Sequence, residues 1–513
     1  MMSVMTLLAN LNHLTADELR ELVRQQAETI THKDRELNWR KVKIDKLTHE
    51  VAYYKRHYFG IKAERLLVEQ GQLFEETLAT DMAAITEELA QLSAPAQKPK
   101  GQAKRKPLPP ELPRTEIRHE PDSTTCACGC QMQRIGEDVA EKLDYTPGTF
   151  TVERHIRGKW ACTQCETLVQ APVPVHVIDK GIPTTGLLAH VLIAKYLDHL
   201  PLYRQEGLFG RAGLPIPQST LAQWVGQMGV TLQPLVDALR AELLSYPVLH
   251  ADETPVAMLD PGKGKTHRAY LWSYSIGAFE PIKAVIYDFA DSRAGKHAQE
   301  FLGDWRGTLV CDDYAGYKAL IAEGVTEAGC MAHARRKFFD LHANNQSLIA
   351  QEALVYIQKL YRVEREVAEL SPDERQRIRQ AQAKPILEEF HDWLTRHRLQ
   401  VPNGSSMAKA IDYSLKRWQA LTHYVDDGQV PIDNNWIENR IRPIALGRKN
   451  WLFAGSLRAG KRAAAIMSLI QSAKLNGNDP FLHLRDILSR LPTQPNSKIG
   501  VLLPHRWLPE STA

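Results

Sequence analysis

"YPVLHADETPVAML", residues 246 to 259, opens as an apolar, β-rich run and delivers an acid, Asp252, at its end. "GTLVCDDYAGYKAL", residues 307 to 320, repeats the pattern: an apolar strand, then Asp312 and Asp313, then a turn into a helix. Between them, "RAYLWSYSIG" (268 to 277) and "PIKAVIYDFADSR" (281 to 293) read as further strands from their aromatic and β-branched content. Three neighbouring strands and a fourth that ends in an acid predict a mixed α/β sheet. Ligands of such sheets gather at strand ends, so Asp252 and Asp312 are expected to share one site. An Asp at a strand end is also a common turn former. The pair therefore needs a third member before it implies chemistry.

That member is offered by "PIDNNWIENRIRPIALGRKNWLFAG", residues 431 to 455. Here Glu438 stands among Arg440, Arg442, Arg448 and Lys449, with Trp436, Trp451 and Phe453 between them. One reading is local. Asn435 and Glu438 have capping-box spacing, Glu438 precedes Arg442 by four residues as in a helix-surface ion pair, and Pro443 ends or kinks a short helix. The other makes Glu438 a metal ligand whose flanking cations hold phosphates. Two aspartates and a glutamate would repel one another unless divalent cations bind, and oxygen-only ligands suit Mg²⁺ or Mn²⁺. A pair of such ions supports phosphoryl transfer. "CMAHARRKFFD" (330 to 340) carries His333, Arg335, Arg336 and Lys337 on one helix. That cluster suits DNA phosphates or is an exposed basic face. The stretch from about 340 to 428 is helical and reads as an insertion without a catalytic candidate of its own.

Upstream, residues 15 to 95 hold almost no Gly or Pro. Ile30, Leu37, Ile44 and Val51 recur every seven residues, with Leu47 and Tyr54 at d-type positions and Lys33 and Arg40 spoiling two others. A two-helix or self-associating coiled coil is expected, or a hairpin packed on its own chain. "APAQKPKGQAKRKPLPPELP" (94 to 113) is a linker in which Lys104, Arg105 and Lys106 are candidate DNA contacts. "CACGC" (126 to 130) and "CTQC" (162 to 165) predict a structural zinc site. Cys162 and Cys165 supply one pair, and Cys126 with Cys128 the other, Cys130 being the alternative. Cys311 and Cys330 read as core residues. "PLYRQEGLFGRAG" and "PQSTLAQWVGQMG" (201 to 229) have helix-turn-helix proportions, with Ser219 or Thr220 as cap and Gln218 and Gln223 as base-reading candidates.

The 513 residues carry a net charge of only +4, so global charge does not announce a nucleic-acid binder, and with 43% hydrophobic residues the chain can bury real cores. No secretory signal and no membrane span is expected, which points to a cytoplasmic protein; any binding to DNA would make it nucleoid-associated.

"HADETPV", "DDYAGY", "CMAHARRKFFD" and "DNNWIENRIRPIALGRKNWLFAGS" together resemble the transposases of the insertion sequence 66 family. "HYFGIKAERL", "IGEDVAEKLDYTPGTF", "DHLPLYRQ" and the tail "SLIQSAKLNGNDPFLHLRDILSRLP" extend the resemblance over the chain. It implies a multi-domain α+β protein whose RNase H-like α/β core carries a helical insertion and an Asp-Asp-Glu triad at Asp252, Asp312 and Glu438. Before that core come a coiled-coil helix (1 to 93), a basic linker (94 to 118), a zinc segment (119 to 178) and a helix-turn-helix-like region (179 to 245). The catalytic domain spans 246 to 470 and a tail 471 to 513. The implied activity is cleavage of double-stranded DNA at transposon ends and strand transfer into target DNA, by a homo-oligomer, with accessory proteins of the same element. A catalytically inactive DNA-binding regulator and a nuclease without strand joining are the alternatives. "CACGC" departs from the family's usual C-x-x-C, and Asp313 beside Asp312 competes for the second triad position.

Overall fold

The computed structural model describes residues 15–60, 68–92, 108–146, 148–173, 175–178, 181–260 and 265–509. Lys104, Arg105 and Lys106 lie outside them, as does the Tyr54 side chain. The chain forms two compact units, one of residues 1–64 and 82–104, the other of 65–81 and 105–513. The first holds helix α1 (Ala16–Gly60) and the later part of α2 (Val68–Leu92). Along α1 the seven-residue stripe is bare at Ile30 and Leu37, while Leu47 is buried.

The larger unit is built on two sheets. The smaller sheet contains β1 (Arg114–His119), β2 (Gln133–Thr146), β3 (Thr149–Ala161) and β4 (Leu168–Gln170). Arg114–Arg118, expected in the linker, instead pair in parallel with β3. One end of the β2–β3 hairpin is anchored by Leu143, Phe150 and Val152 in the main hydrophobic core. The other end carries the cysteines.

The larger sheet has the order β7-β6-β5-β8-β9, from β5 (Val248–Asp260), β6 (Lys265–Ile276), β7 (Val285–Ala290), β8 (Thr308–Cys311) and β9 (Thr326–Gly329). β5, β6 and β7 pair antiparallel, whereas β5, β8 and β9 pair in parallel. The mixed sheet is as the strand pattern predicts, with β9 added. One expectation is corrected. Asp252 does not end its strand, because β5 continues to Asp260 against β6. It lies just past the point where parallel pairing with β8 stops, at His250 and Val310.

Helices α3 (Thr185–Tyr196), α4 (Leu202–Arg211), α5 (Gln218–Thr231) and α6 (Gln233–Leu243) share one core with this sheet and with α16 (Leu457–Leu475) and α17 (Pro480–Arg490). Neither Ser219 nor Thr220 caps α5: Pro217 takes the N-cap position, and its fixed φ starts the helix without a side-chain bond. The early part of α2 is docked by two buried carboxylates. Glu76 pairs with Lys195 and accepts from the Leu202 amide at 2.9 Å; Asp81 pairs with Arg462 at 3.0 Å and with the Ser456 hydroxyl that caps α16. Removing one partner of a buried pair strands the other charge. Asp81→Ala is expected to cost about 3–5 kcal/mol in guanidinium unfolding, and pairing it with Arg462→Met should recover part of that loss.

α7 (Lys296–Leu302) precedes β8 and α8 (Lys318–Ala322) lies between β8 and β9; after β9 come α9 (Met331–Asn345) and the insertion helices α10 (Leu348–Val367), α11 (Pro372–Ile378), α12 (Lys384–Gln400), α13 (Ser406–Lys416) and α14 (Trp418–Thr422). These pack a second core around Ile357, Leu360, Phe390 and Trp393. Arg379, fully buried in a π-helical turn, pairs with Glu364 at 2.6 Å and donates to the carbonyls of Tyr424, Asp427 and Val430. The insertion thereby fixes the loop that leads into α15 (Asn435–Gly447), the helix of Glu438. α15 runs through Pro443 to Gly447, so the proline does not end it.

Candidate active site

Three elements carry the three acids. β5 holds Asp252, the turn after β8 holds Asp312, and the first turn of α15 holds Glu438. Continued past His250 and Val310, the β5–β8 register brings Asp252 level with Asp312. Burial, then the neighbouring Glu253, Asp312 and Glu438 carboxylates, push Asp252 well above the usual carboxylate range. Its Oδ1 accepts from the Glu253 amide at 2.8 Å, and Asp312 Oδ1 accepts from the Tyr314 amide at 3.0 Å. Glu253 itself is buried on the other face of β5, where Arg293 and the Tyr317 hydroxyl hold it.

Asp313 is engaged elsewhere. Arg417, a buried residue 104 positions away, pairs with it, and Lys318 lies 3.8 Å from the same oxygen. Among the described residues no ion pair satisfies Asp312. Of the two neighbours, Asp312 is the one whose charge is felt at Asp252.

Glu438 does not close a capping box. Asn434 is the N-cap of α15, and its side chain makes no capping bond. The turn is tied instead by Asp433, whose carboxylate accepts from the Asn435 amide at 3.0 Å and from Tyr361 at 2.7 Å. Nor does Glu438 pair with Arg442, which is exposed. The basic side chains facing it are on α9: His333 Nδ1 and Arg336 Nη2, each 3.8 Å away. Glu438 Oε1 and His333 Nδ1 are both buried without a hydrogen-bond partner. A buried, unsatisfied carboxylate oxygen whose charge, with that of Asp312, bears on Asp252 fits a hard divalent cation, which takes oxygen ligands and removes their mutual repulsion.

The remaining predicted contacts separate into two groups. Arg335, Arg336, Lys337, Arg442 and Lys449 are exposed. By contrast Arg440 stacks on Trp436 at 4.1 Å, Arg448 donates to the Pro255 carbonyl at 2.5 Å, and His333 is half-buried against Glu438. Trp451 is turned inward: its indole N–H meets His199 at 3.3 Å, and it lines an apolar cavity with Leu271, Phe289 and Phe453. On α5, Gln223 is exposed, but Leu221, Ala222, Trp224 and Val225 are buried, which leaves a narrow polar face.

At the far end of the small sheet, the sulfurs of Cys126, Cys128, Cys162 and Cys165 lie within 4.8 Å of one another. Cys128 Sγ stands 3.7 Å from both Cys162 and Cys165, and Cys126 stands 2.9 Å from Cys165. A zinc tetrahedron with Zn–S of about 2.3 Å has S–S edges of about 3.8 Å. The first pair is thus Cys126 and Cys128. Gly129, at φ +84°, turns the chain so that the Cys130 carbonyl accepts from the Cys126 amide at 2.8 Å, and Cys130 packs beside the cluster. Hydrogen bonds from Cys126 and Thr167 lower the Cys165 thiol to about 6, the direction that favours the thiolate a zinc ligand needs.

The model of the "Transposase IS66 family" matches residues 180–462, which include the whole larger sheet and all three acids. The chain belongs to the IS66 transposase family. Its cysteine segment matches "zinc-finger binding domain of transposase IS66" over 123–166, and its tail matches "IS66 C-terminal element" over 468–505. Residues 46–117 match "Transposase C of IS166 homeodomain". The family match and the four-thiol cluster together support a structural zinc. Relatives in Sinorhizobium fredii (strain NBRC 101917 / NGR234) span nearly the full length. "Uncharacterized protein y4jD" is 35% identical over 90% of this chain and 94% of its own. "Uncharacterized protein y4qI" is 36% identical over 91% and 90%. Among the described residues no helix is long and apolar enough to cross a membrane.

Asn434, His250 and Cys330, which are joined by hydrogen bonds next to the elements of the three acids, carry no local sequence signal of a functional role. The doubled asparagine before "WIEN" is the nearest clue, since a polar side chain that becomes buried demands a partner.

Proposed function

We propose that the chain is a transposase of the Asp-Asp-Glu type that cuts double-stranded DNA at the ends of a mobile element and joins the freed 3′-hydroxyl to target DNA. The observation that carries this reading is the electrostatic meeting of Asp252, Asp312 and Glu438 from three separate elements, in a chain of a transposase family. The sheet order, with β5 central, antiparallel strands on one side and parallel strands on the other, supports an RNase H-like core. Asp252, Asp312 and Glu438 would hold Mg²⁺ or Mn²⁺, which when bound supplies Lewis acidity at the attacking and leaving oxygens. Arg336, exposed and 3.8 Å from Glu438, can hold a phosphate oxygen beside the carboxylates. Arg335, Lys337, Arg442 and Lys449 extend that cationic rim along a DNA backbone. Gln218 and Gln223 on α5 are the base-reading candidates. The bare stripe of Val23, Ile30 and Leu37 on α1 supports a coiled coil between copies, which would bring two DNA ends together. Accessory proteins of the same element are further expected partners.

The test is incubation of the full chain with labelled duplexes carrying the ends of the element that encodes it, in Mg²⁺ or Mn²⁺. Nicks bearing 3′-hydroxyls and joined products are expected. Nicks without joining would make the chain a nuclease, and end binding without nicking in either ion would make it a regulator.

A further inference from the structure

The short turn "DNN", residues 433 to 435, holds the most constrained polar side chain near the three acids. Asn434 is 1% exposed. A carboxamide so buried is costly unless its groups are bonded, and here they are. Its Nδ2 donates to the Ala251 carbonyl at 2.9 Å, its Oδ1 lies 2.7 Å from His250 Nδ1, and its own amide donates to the Cys330 sulfur at 3.2 Å. Its carbonyl accepts from the Ile437 amide at 3.2 Å and from the Glu438 amide at 3.3 Å. The orientation of the carboxamide is fixed by chemistry: the Ala251 carbonyl can only accept, so Nδ2 faces it and Oδ1 faces the imidazole. His250 must then carry its proton on Nδ1.

Asparagine at an N-cap normally turns its side chain back onto the helix's first free amides. Asn434 occupies that position and makes no such bond. Its side chain reaches across to β5 instead, and the main-chain carbonyl alone serves the helix. Three elements are joined through this one residue. Ala251, which it holds, directly precedes Asp252; Glu438, whose amide it holds, lies in the first turn of α15; Cys330, which it contacts, is the N-cap of the helix of His333 and Arg336.

We infer that Asn434 is a positioning residue that braces β5 against α15 and so sets the separation of the Asp252 and Glu438 carboxylates, and with it their affinity for a divalent cation. The inference rests on the carboxylates forming a metal site, as proposed above. Partners one bond removed from metal ligands typically change affinity about 10- to 100-fold when lost. Asn434→Asp is the informative variant. It keeps the shape and the acceptor toward His250 but replaces the donor toward the Ala251 carbonyl with a second acceptor. Asn434→Ala removes both contacts.

Mn²⁺ binding to the full chain, followed by calorimetry and by the electron paramagnetic resonance of free Mn²⁺, tests the brace without needing catalysis. Circular dichroism and binding to a non-specific duplex report on the rest of the fold. Folded Asn434→Asp and Asn434→Ala chains are expected to keep DNA binding and to need about tenfold more Mn²⁺ or higher for half-saturation. In an Asn434→Ala/Glu438→Gln double variant, the loss should fall well short of the sum of the single losses. Unchanged Mn²⁺ affinity in either folded variant overturns the inference, while leaving wild-type cleavage untouched. If both variants fail to fold, Asn434 is a folding determinant and the positioning role is equally overturned. A wild-type chain that binds Mn²⁺ at these carboxylates yet never cuts DNA would overturn the proposed activity, and the brace would still be measurable.

Discussion

Asp252→Asn, Asp312→Asn and Glu438→Gln are each expected to lower metal-dependent DNA cleavage by about 10³-fold or more while DNA binding stays near wild type. Each amide keeps the shape of its parent and removes the charge that a cation needs. The same changes should act in the opposite direction on stability without metal. Asp252 is raised by burial and by three nearby carboxylates, so the metal-free fold carries their repulsion. Asp252→Asn relieves it, and the metal-free variant should melt at or above the wild-type temperature. Added Mn²⁺ should then stabilise wild type more than the variant. Asp313→Asn is the control. Because Arg417 and Lys318 already neutralise Asp313, that change should leave cleavage within a few-fold. Cleavage of a labelled duplex on a denaturing gel decides it. Full activity in Glu438→Gln would remove the helix from the site, and abolished activity in Asp313→Asn would move the second acid by one residue.

Stripping zinc is expected to open the cysteine end of the small sheet and spare the other end. The core around the thiols is small, comprising Cys126, Met132 and Cys162 with Cys130, Trp160 and Val169 against them. A structural zinc in such a setting contributes an apparent ~10–16 kcal/mol in finger peptides, far more than that core can supply. The opposite end of the hairpin is held by Leu143, Phe150 and Val152 in the main core. Loss of metal should therefore raise amide exchange in the two cysteine turns and β4, with β5 and α16 still protected. Elemental analysis should find one zinc per chain. Cys128→Ser or Cys162→Ser should lose it, whereas Cys130→Ser should retain it. Zinc kept by Cys128→Ser and lost by Cys130→Ser would reverse the assignment of the first pair.

Much of this protein is written locally. The short run Thr308-Leu309-Val310-Cys311 has the composition of a buried strand, and Asp312 follows because the run stops there. Cys162 and Cys165 converge because a C-x-x-C turn is short enough to leave the thiols no other arrangement. The helical character of the insertion and the placing of Glu438 near a helix start are likewise local, since they depend on spacing and on residues a turn apart. The family resemblance added the identity of the acids, which local rules left open between ligand and cap.

Long-range packing settled the choices between residues of equal local merit. Cys128 was preferred to Cys130 by where β3 delivers Cys162 and Cys165. Asp313 was taken out of contention by Arg417. The capping box at Asn435 and Glu438 lost to a junction between residues 184 positions apart, His250 and Asn434. Trp451 turned from a surface expected to face DNA into the cavity beside His199. At the helix start and at the aspartate pair the competing local options differ by about a kcal/mol. Burying a charge or a carboxamide without its partner costs several, so the distant partner, invisible to spacing and composition, determined the outcome.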